Sequence, residues 1–476
     1  MAKSSTIFSC QACGAQTPKW VGRCGQCGAW NTIVEEISRK TASGKAGPSL
    51  PAAKAQLVSE IDADHAARVP TGIAELDRVL GGGVVLGGVV LVGGDPGVGK
   101  STLLLQALSA LSAKGCRALY VSGEESAGQT AARARRLGVL SDDLLVLAEN
   151  DLDAIERAIE ETKPAVIVID SVQTVRSPDL DSAAGTVSQL REVAARIVDR
   201  AKRSRIAAFL VGHVTKDGSL AGPKVLEHLV DTVLAFEGER GHALRTLRAH
   251  KNRFGSATEV GVFEMTADGM REVPNASAFF LSERPKNVPG SIVAATSEGS
   301  RSMLVEVQAL TVVQSSGSPR RTVSGVDGAR LAMILAVLER KSGLHVSGCD
   351  VFVNVAGGVH VDEPAMDLPI ALAVASSLKD LPIHPEIVAF GEIGLSGEVR
   401  AVPRAEGRIA EASALGFRRA ILPASVADKL TKHAASERSA GNSAGEKATA
   451  AQKGAPKNAI ELVAVRSLDE ALAIAM

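Results

Sequence analysis

Aromatic residues are scarce in this chain. Phenylalanine, tryptophan and tyrosine together make up 3% of 476 residues, with two tryptophans and one tyrosine. A protein interior with so few rings must be mainly aliphatic, and hydrophobic residues account for 45% of the chain beside 46 glycines. This composition is typical of an α/β protein, and the length predicts two or three domains.

A charge excess and long apolar runs are also missing. The 53 basic residues balance 53 acidic ones, so net charge neither favours nor excludes nucleic-acid binding, which would need a local basic patch. The N-terminal stretch MAKSSTIFSC has no apolar signal-peptide segment. No run reaches the ~18 apolar residues of a membrane helix. We therefore expect a soluble, cytoplasmic protein that has no membrane partner.

Cysteines are few, but four of the six form two C-x-x-C pairs, Cys10 with Cys13 and Cys24 with Cys27. Each pair can present two thiolates to one ion, and two pairs complete a closed tetrahedral Zn²⁺ site. Redox-active thiols and free cysteines are the alternatives, but no βαβ pattern surrounds the pairs. The spacing therefore predicts a small zinc ribbon.

The two tryptophans, Trp20 and Trp30, both lie in this cysteine-rich segment. We expect them to cover the metal-binding turns. The alternative is that they stack on bases or on a protein partner.

A phosphate-binding pattern, G-x4-G-K-S, lies between the apolar run 84–92 and the helix-like run 103–111. Strand, glycine loop and helix are the context that a P-loop requires. Lys100 is expected to reach the β- and γ-phosphates of ATP, and the Ser101 hydroxyl to bind Mg²⁺. The residues predicted to contact the nucleotide are Gly94, Asp95, Pro96, Gly97, Val98, Gly99, Lys100, Ser101 and Thr102.

Carboxylates follow two further apolar runs. Asp170 ends the run VIVID, where it is expected to hold Mg²⁺ beside the P-loop. Glu124 and Glu125 end the strand that follows the P-loop helix, and one of them is expected to activate the attacking water, although the sequence does not decide which. His213 ends a later strand and is either a γ-phosphate sensor or a structural histidine.

A basic turn, KNRFG, follows a strand near residue 250. Its cations Lys251 and Arg253 are expected to neutralise transition-state charge on the ATP of a neighbouring subunit. The alternative is a solvated hairpin tip.

The order C-x-x-C…C-x-x-C, GDPGVGKST, KNRFG resembles the bacterial RadA (Sms) family, relatives of RecA. That resemblance implies homologous recombination and DNA repair, binding of single-stranded and branched DNA, a homo-hexameric ring and ATP-driven branch migration. It also implies a recombinase or helicase partner for the zinc ribbon. Glu124 then corresponds to the catalytic glutamate, Asp170 to the Walker B end and His213 to the γ-phosphate sensor.

The C-terminal third resembles the proteolytic domain of Lon. The stretch that corresponds to Lon's nucleophile motif carries Ala365 in place of serine, and Glu406 lies near the lysine position. We therefore expect the fold without the protease. A second Ser–Lys pair, Ser376 or Ser377 with Lys379, is a weak alternative because these neighbours on one helix do not converge.

The predicted architecture is an α/β chain: a zinc ribbon, a RecA-like P-loop ATPase core with a mostly parallel sheet, and a Lon-protease-like α/β domain. The expected bounds are 1–37 for the ribbon, 38–60 for a linker, 61–275 for the ATPase and 285–476 for the last domain, with a low-complexity insertion at 431–457. The cofactors implied are ATP, Mg²⁺ and Zn²⁺. An ATP-switched regulator of a protein partner is the alternative to a DNA motor.

Overall fold

The computed structural model describes residues 5–10, 15–38, 57, 68–212, 224–238, 244–314, 318–430 and 460–476. The chain divides into two compact units, Met1–Glu272 and Val273–Met476. Among the described residues, no helix has the length and apolar character needed to cross a membrane.

The first unit begins with a small antiparallel sheet of three strands in the order β2-β1-β3. They are β1 (Ser5–Cys10), β2 (Gln16–Thr17) and β3 (Ile33–Ser38). Cys10 and Cys24 are buried together with Ile33, and Phe8, Ala15 and Val21 pack around them. Such a small cluster cannot stabilise a fold by itself, which is the usual reason for a metal in a module of this size.

A nine-stranded sheet dominates the rest of the first unit, in the order β14-β13-β12-β11-β6-β10-β9-β7-β8. The short strands β4 (Arg68–Val69) and β5 (Val84–Val85) pair separately. The nine are β6 (Val89–Gly94), β7 (Ala118–Ser122), β8 (Leu144–Ala148), β9 (Val166–Asp170), β10 (Ala207–Val211), β11 (Thr232–Glu237), β12 (Leu244–Asn252), β13 (Val260–Thr266) and β14 (Gly269–Glu272).

The sheet is mostly parallel, as the alternation of strands and helices predicts. Strands β8, β7, β9, β10, β6 and β11 run parallel, and β11 to β14 are antiparallel to one another. Strand β11 joins the two parts of the sheet, since it is parallel to β6 and antiparallel to β12. The short helix α6 (Lys224–Glu227) precedes it in the chain.

Helices cover both faces of this sheet. Besides α6 they are α1 (Ala74–Leu80), α2 (Lys100–Ser112), α3 (Ala127–Arg136), α4 (Leu152–Thr162) and α5 (Val187–Ser204). Alternate residues of β6 point to opposite faces: Val90 and Val92 join the core beside α2, and Val89 and Leu91 join the core beside α4 and α5. A strand buried on both faces must be apolar throughout, which explains its continuous aliphatic run.

The second unit is an α/β domain with a seven-stranded mixed sheet, in the order β17-β18-β16-β15-β19-β22-β23. The strands are β15 (Ser291–Glu298), β16 (Arg301–Val313), β17 (Arg321–Ser324), β18 (Cys349–Val355), β19 (Ile387–Ala389), β20 (Glu392–Ile393), β21 (Val399–Arg400), β22 (Arg419–Pro423) and β23 (Glu461–Val465). The pair β20–β21 forms a separate hairpin.

The helices of this unit are α7 (Ala276–Phe280), α8 (Gly328–Ser342), α9 (Asp367–Lys379), α10 (Ala405–Ala414), α11 (424–430) and α12 (Leu468–Ala475). Asp327 caps α8 by accepting from the backbone N–H groups of Ala329 and Arg330, and the helix ends at Gly343 with φ 65°. Helix α9 is buried along nearly its whole length, which accounts for its run of aliphatic and small residues.

Candidate nucleotide-binding site

The P-loop joins the end of β6 to the start of α2. Gly94, Gly97 and Gly99 have φ values of 154°, 81° and 116°. Residues that carry a side chain rarely adopt these backbone conformations. A Cβ at Gly94 would lie 2.5 Å from the carbonyl oxygen of Phe236 on the neighbouring strand. Glycine is therefore needed here both for conformation and for space, and the free N–H groups at the start of α2 form a site for an anion.

Lys100 is the first residue of α2 and only 4% exposed. Its Nζ donates to the carbonyl oxygens of Gly94 at 2.7 Å and Asp95 at 2.9 Å. Burial lowers the pKa of this lysine, and the carboxylates of Asp170, Asp95 and Glu124 oppose that shift. The ammonium thus lies among the acidic groups of the site and can exchange its carbonyl partners for phosphate oxygens.

Asp170 lies at the carboxyl end of β9, opposite Ser122 of β7, and is 9% exposed. Its Oδ2 accepts a hydrogen bond from the hydroxyl of Tyr120, which is also hydrogen-bonded to Ser101. A hydroxyl and a carboxylate are hard oxygen donors that suit Mg²⁺. The phenol of Tyr120 therefore links the two predicted magnesium ligands, Ser101 and Asp170.

Sequence reasoning missed Tyr120. Burial and the neighbouring Asp170 raise the pKa of its hydroxyl strongly. The available signal was that the single tyrosine of the chain lies in the strand ALYVS, whose other residues are aliphatic apart from the final serine.

The two adjacent glutamates have different surroundings. Glu124 is exposed, and its Oε1 accepts from the Ser171 hydroxyl at 2.5 Å, next to Asp170. Glu125 forms an ion pair with Arg133 of α3. Ser126 and Gln129 close a capping box at the start of α3, which holds both glutamates at the turn after β7. The geometry favours Glu124 as the group that faces a nucleotide.

The KNRFG turn lies at the other end of the sheet. In the register of β11 against β6, Thr232 pairs with Val90 and Phe236 with Gly94, and Thr232 pairs with Asn252 on β12. The turn is therefore beside the beginning of β6, whereas the P-loop follows its end. A strand of this length separates the two by about 20 Å.

Both cations of this turn have partners within the subunit. Lys251 Nζ donates to the carbonyl oxygens of Glu227 at 2.5 Å and Val230 at 2.8 Å, and its pKa is lowered, first by burial and then by Arg253. Arg253 is 55% exposed and lies 3.4 Å from Asp231. The arginine can thus leave its weak partner at little cost, whereas Lys251 is held more firmly.

His213 and the loop that follows it lie outside the described residues, as does Cys13. The three described cysteines of the ribbon, Cys10, Cys24 and Cys27, have Sγ atoms within 4.8 Å of one another. Tight turns position them: Cys24 N–H donates to Ala29 and Gly28 N–H donates to Cys24. Thiolate sulfur at this spacing fits Zn²⁺.

The tryptophans do not cover these turns as expected. Trp20 is 58% and Trp30 68% exposed, because smaller side chains already pack around two of the three described cysteines. Trp20 Nε1 donates to the Ile33 carbonyl at 3.2 Å, and the Arg23 guanidinium lies 5.6 Å from the Trp30 ring centroid. Trp20 is thus held at one edge of its ring and Trp30 is contacted on one face, and most of each ring is open to solvent.

In the second unit, the position of the Lon nucleophile is part of the core. Ala365 is 1% exposed and packs in a hydrophobic cluster. Arg408, 1% exposed, makes a two-fold ion pair with Glu363 at 2.9 and 2.7 Å. Arg400, Arg404 and Arg408 have the spacing of one helix face, but they form no cationic stripe, because Arg400 lies in β21 and Arg408 is buried.

The weak alternative serine pair is also structural. Ser376 Oγ accepts from Gly290 N–H at 2.9 Å and donates to the Leu381 carbonyl at 2.5 Å. Ser377 Oγ accepts from Thr311 N–H at 2.9 Å. The two hydroxyls thus link α9 by hydrogen bonds to the backbone next to the start of β15 and within β16. Neither hydroxyl has a lysine partner among these contacts.

Comparison with known proteins gives three family matches. Residues 8–35 match the rubredoxin metal binding domain, residues 56–219 an AAA domain, and residues 312–426 the ChlI subunit of Mg-chelatase. A KaiC-like protein of Pyrococcus horikoshii OT3 aligns with 44% of this chain and 100% of its own at 20% identity, with a TM-score of 0.37, too low to support an argument.

Curated relatives match nearly the whole chain. The protein named DNA repair protein RadA from Bacillus subtilis is 50% identical over 91% of this chain and 95% of its own length. The protein of that name from Halalkalibacterium halodurans is 51% identical over 89% and 93%. The one from Pseudomonas aeruginosa is 52% identical over 90% and 95%.

Proposed function

The chain belongs to the RadA family of DNA repair proteins, and from this premise we propose that it is an ATP-driven motor that acts on single-stranded and branched DNA. In this role it hydrolyses ATP and moves the branch point of recombination intermediates. The observation that carries the proposal is the meeting of Lys100, Ser101, Asp170 and Glu124 at one end of a parallel sheet.

Each residue then has a defined task. The P-loop N–H groups and Lys100 hold the phosphates, and Ser101 with Asp170 would hold Mg²⁺. The metal, when bound, supplies positive charge to the β- and γ-phosphate oxygens. Glu124, exposed and oriented by Ser171, receives the proton of the attacking water. His213 keeps its assignment as γ-phosphate sensor.

The turn with Lys251 and Arg253 acts on a different subunit in this proposal. It lies about 20 Å from the P-loop of its own chain, so its cations reach a nucleotide only across a subunit boundary. A head-to-tail interface of this kind closes into a ring, which fits the proposed homo-hexamer. Arg253, half exposed and weakly paired, is the better candidate for the contact with transition-state charge.

Two loops, 175–186 and 214–224, are proposed to contact the DNA backbone in the ring channel. In the described one, Gln189 accepts from Ser177 N–H at 2.8 Å and donates to the carbonyls of Leu180 and Ser182, each at 3.0 Å. This fixes the loop, but it carries one arginine, Arg176, and two aspartates. The lysines of the other loop therefore bear most of the proposed phosphate contact.

The exposed tryptophans of the ribbon suit a protein partner, proposed as a recombinase or helicase, since tryptophan and arginine are enriched in interface hot spots. The second unit serves as a scaffold and not as a protease, because Ala365 offers no nucleophile.

The test is ATP hydrolysis with and without single-stranded DNA, followed by processing of joint molecules. We expect DNA to stimulate hydrolysis, Lys100→Ala to abolish the stimulation, and DNA affinity to fall as salt rises. Joint molecules that bind but are not moved would favour the alternative, an ATP-switched regulator. Hydrolysis that persists in Lys100→Ala would refute the site itself.

A further inference from the structure

The tyrosine of this chain occupies a position that core packing alone does not explain. Tyr120 is 1% exposed on β7. Its hydroxyl donates to Asp170 Oδ2 and is hydrogen-bonded to Ser101. These two partners come from different elements, β9 and α2, so the phenol links three elements at the nucleotide site.

Phenylalanine would fill the same space. Tyr120 belongs to the hydrophobic core beside α2, with Leu103, Leu104 and Val168, and a hydroxyl in such a core is costly unless it is hydrogen-bonded. The hydroxyl of Tyr120 is satisfied by the two side chains predicted to hold Mg²⁺. A charged acceptor makes such a hydrogen bond stronger than a neutral one.

We propose that Tyr120 is a positioning residue that holds the Asp170 carboxylate and the Ser101 hydroxyl in place for a magnesium–nucleotide complex. The inference rests on the proposed ATPase site and adds a residue to it. Groups that orient metal ligands in this way typically change metal affinity or activity by about 10- to 100-fold when they are removed. Tyr120 touches the ligands and leaves the reacting atoms to Lys100 and Glu124.

The decisive variant is Tyr120→Phe, which removes the hydroxyl and keeps the ring. Binding of a fluorescent ATP analogue to the full chain is measured twice, in EDTA and in MgCl2. In the variant we expect the affinity for the analogue in EDTA to be unchanged. The increase in that affinity when Mg²⁺ is added should be about 10- to 100-fold smaller than in the wild type. Steady-state hydrolysis should show the same shift as a higher Mg²⁺ requirement.

Thr130→Val is the matched control. Thr130 of α3 is fully buried and its hydroxyl has no hydrogen-bond partner among the described residues, so this variant also removes a buried hydroxyl, but one that is hydrogen-bonded to neither predicted metal ligand. It should bind the analogue like the wild type under both conditions. Equal Mg²⁺ gains in Tyr120→Phe and the wild type would overturn the proposal, as would an equal loss in the two variants.

A second measurement needs no variant and decides the matter if Tyr120→Phe fails to fold. Because the chain has one tyrosine, ring-labelled tyrosine reports on this residue alone in difference infrared spectra. We expect its C–O band to shift when Mg²⁺ joins the bound nucleotide, and an unchanged band would overturn the proposal. A wild type that binds no nucleotide would instead refute the proposed function, so the two failures are distinguishable.

Discussion

Mixed rings test whether Arg253 completes the site of a neighbouring subunit. Subunits with Lys100→Ala keep an intact turn, and subunits with Arg253→Ala keep an intact P-loop. Loss of an arginine finger costs about 10³- to 10⁵-fold in kcat, so each homogeneous variant is expected to be nearly inactive. In an equal random mixture, half of the P-loops and half of the turns are intact. An intact P-loop of one subunit therefore faces an intact turn of the next in about a quarter of the interfaces.

The magnitude follows from the register of the sheet. Because β6 separates the turn from the P-loop by about 20 Å, a subunit cannot supply both halves of its own site. Co-expressed subunits with different tags, purified through both tags, should therefore recover about a quarter of the wild-type hydrolysis rate. If Arg253 acted within its own subunit, the mixture would stay as inactive as either variant.

Two controls make the result quantitative. Wild type mixed equally with the Lys100→Ala/Arg253→Ala double variant should give about a quarter of full activity if the site is shared, and about half if it is not. Arg271→Ala removes another exposed arginine of the same sheet, 68% exposed and paired with Glu264, and should leave activity intact. Absence of recovery in correctly assembled mixed rings would refute the shared site and return the KNRFG turn to a solvated hairpin tip.

Three further outcomes follow from the described contacts. Arg408→Met breaks a buried ion pair at a cost of about 3–5 kcal/mol, which should lower the melting temperature of the second unit by about 10 °C in calorimetry. Replacing Glu363 by leucine in the same variant should recover much of that loss. An unchanged melting temperature in Arg408→Met would contradict the scaffold role. Cys24→Ala should remove zinc, measured by atomic absorption, and expose the ribbon to proteolysis while nucleotide affinity is kept; zinc retained at the wild-type level would count against the site. Glu124→Gln should lower kcat by about 10²- to 10⁴-fold with nucleotide binding retained, whereas Glu125→Gln should change it less than about threefold, and the reverse ranking would reassign the base.

The parts of the site that the sequence predicted are those coded by consecutive residues. The P-loop could be located because its glycines, Lys100 and Ser101 are adjacent and because a strand and a helix must flank them. The mostly parallel sheet followed from the alternation of strands and helices. Glu124 and Glu125 were indistinguishable in sequence, since their difference lies in Ser171 and Arg133, whose positions depend on the fold.

The parts that could not be predicted depend on contacts between distant segments. Tyr120 meets Asp170 because β7 and β9 are neighbours, although 50 residues separate the two side chains. The spacing of Arg408 from Arg404 in the sequence would suit one solvated face of a helix. Arg404 is instead the N-cap residue with φ 59°, so the helix starts later, and its first turns bring Arg408 to Glu363 in the core.

The position of the KNRFG turn also bears on where the energy of hydrolysis can go. In the described part of the second unit, the place of the Lon nucleophile is filled by Ala365 and by the Arg408–Glu363 pair, so the proposal assigns no peptide cleavage to it. A nucleotide that is held by the P-loop of one subunit and the turn of another changes an interface each time it is hydrolysed. On this proposal, hydrolysis is converted into relative motion of neighbouring subunits, and DNA held in the ring channel is the substrate that such motion displaces.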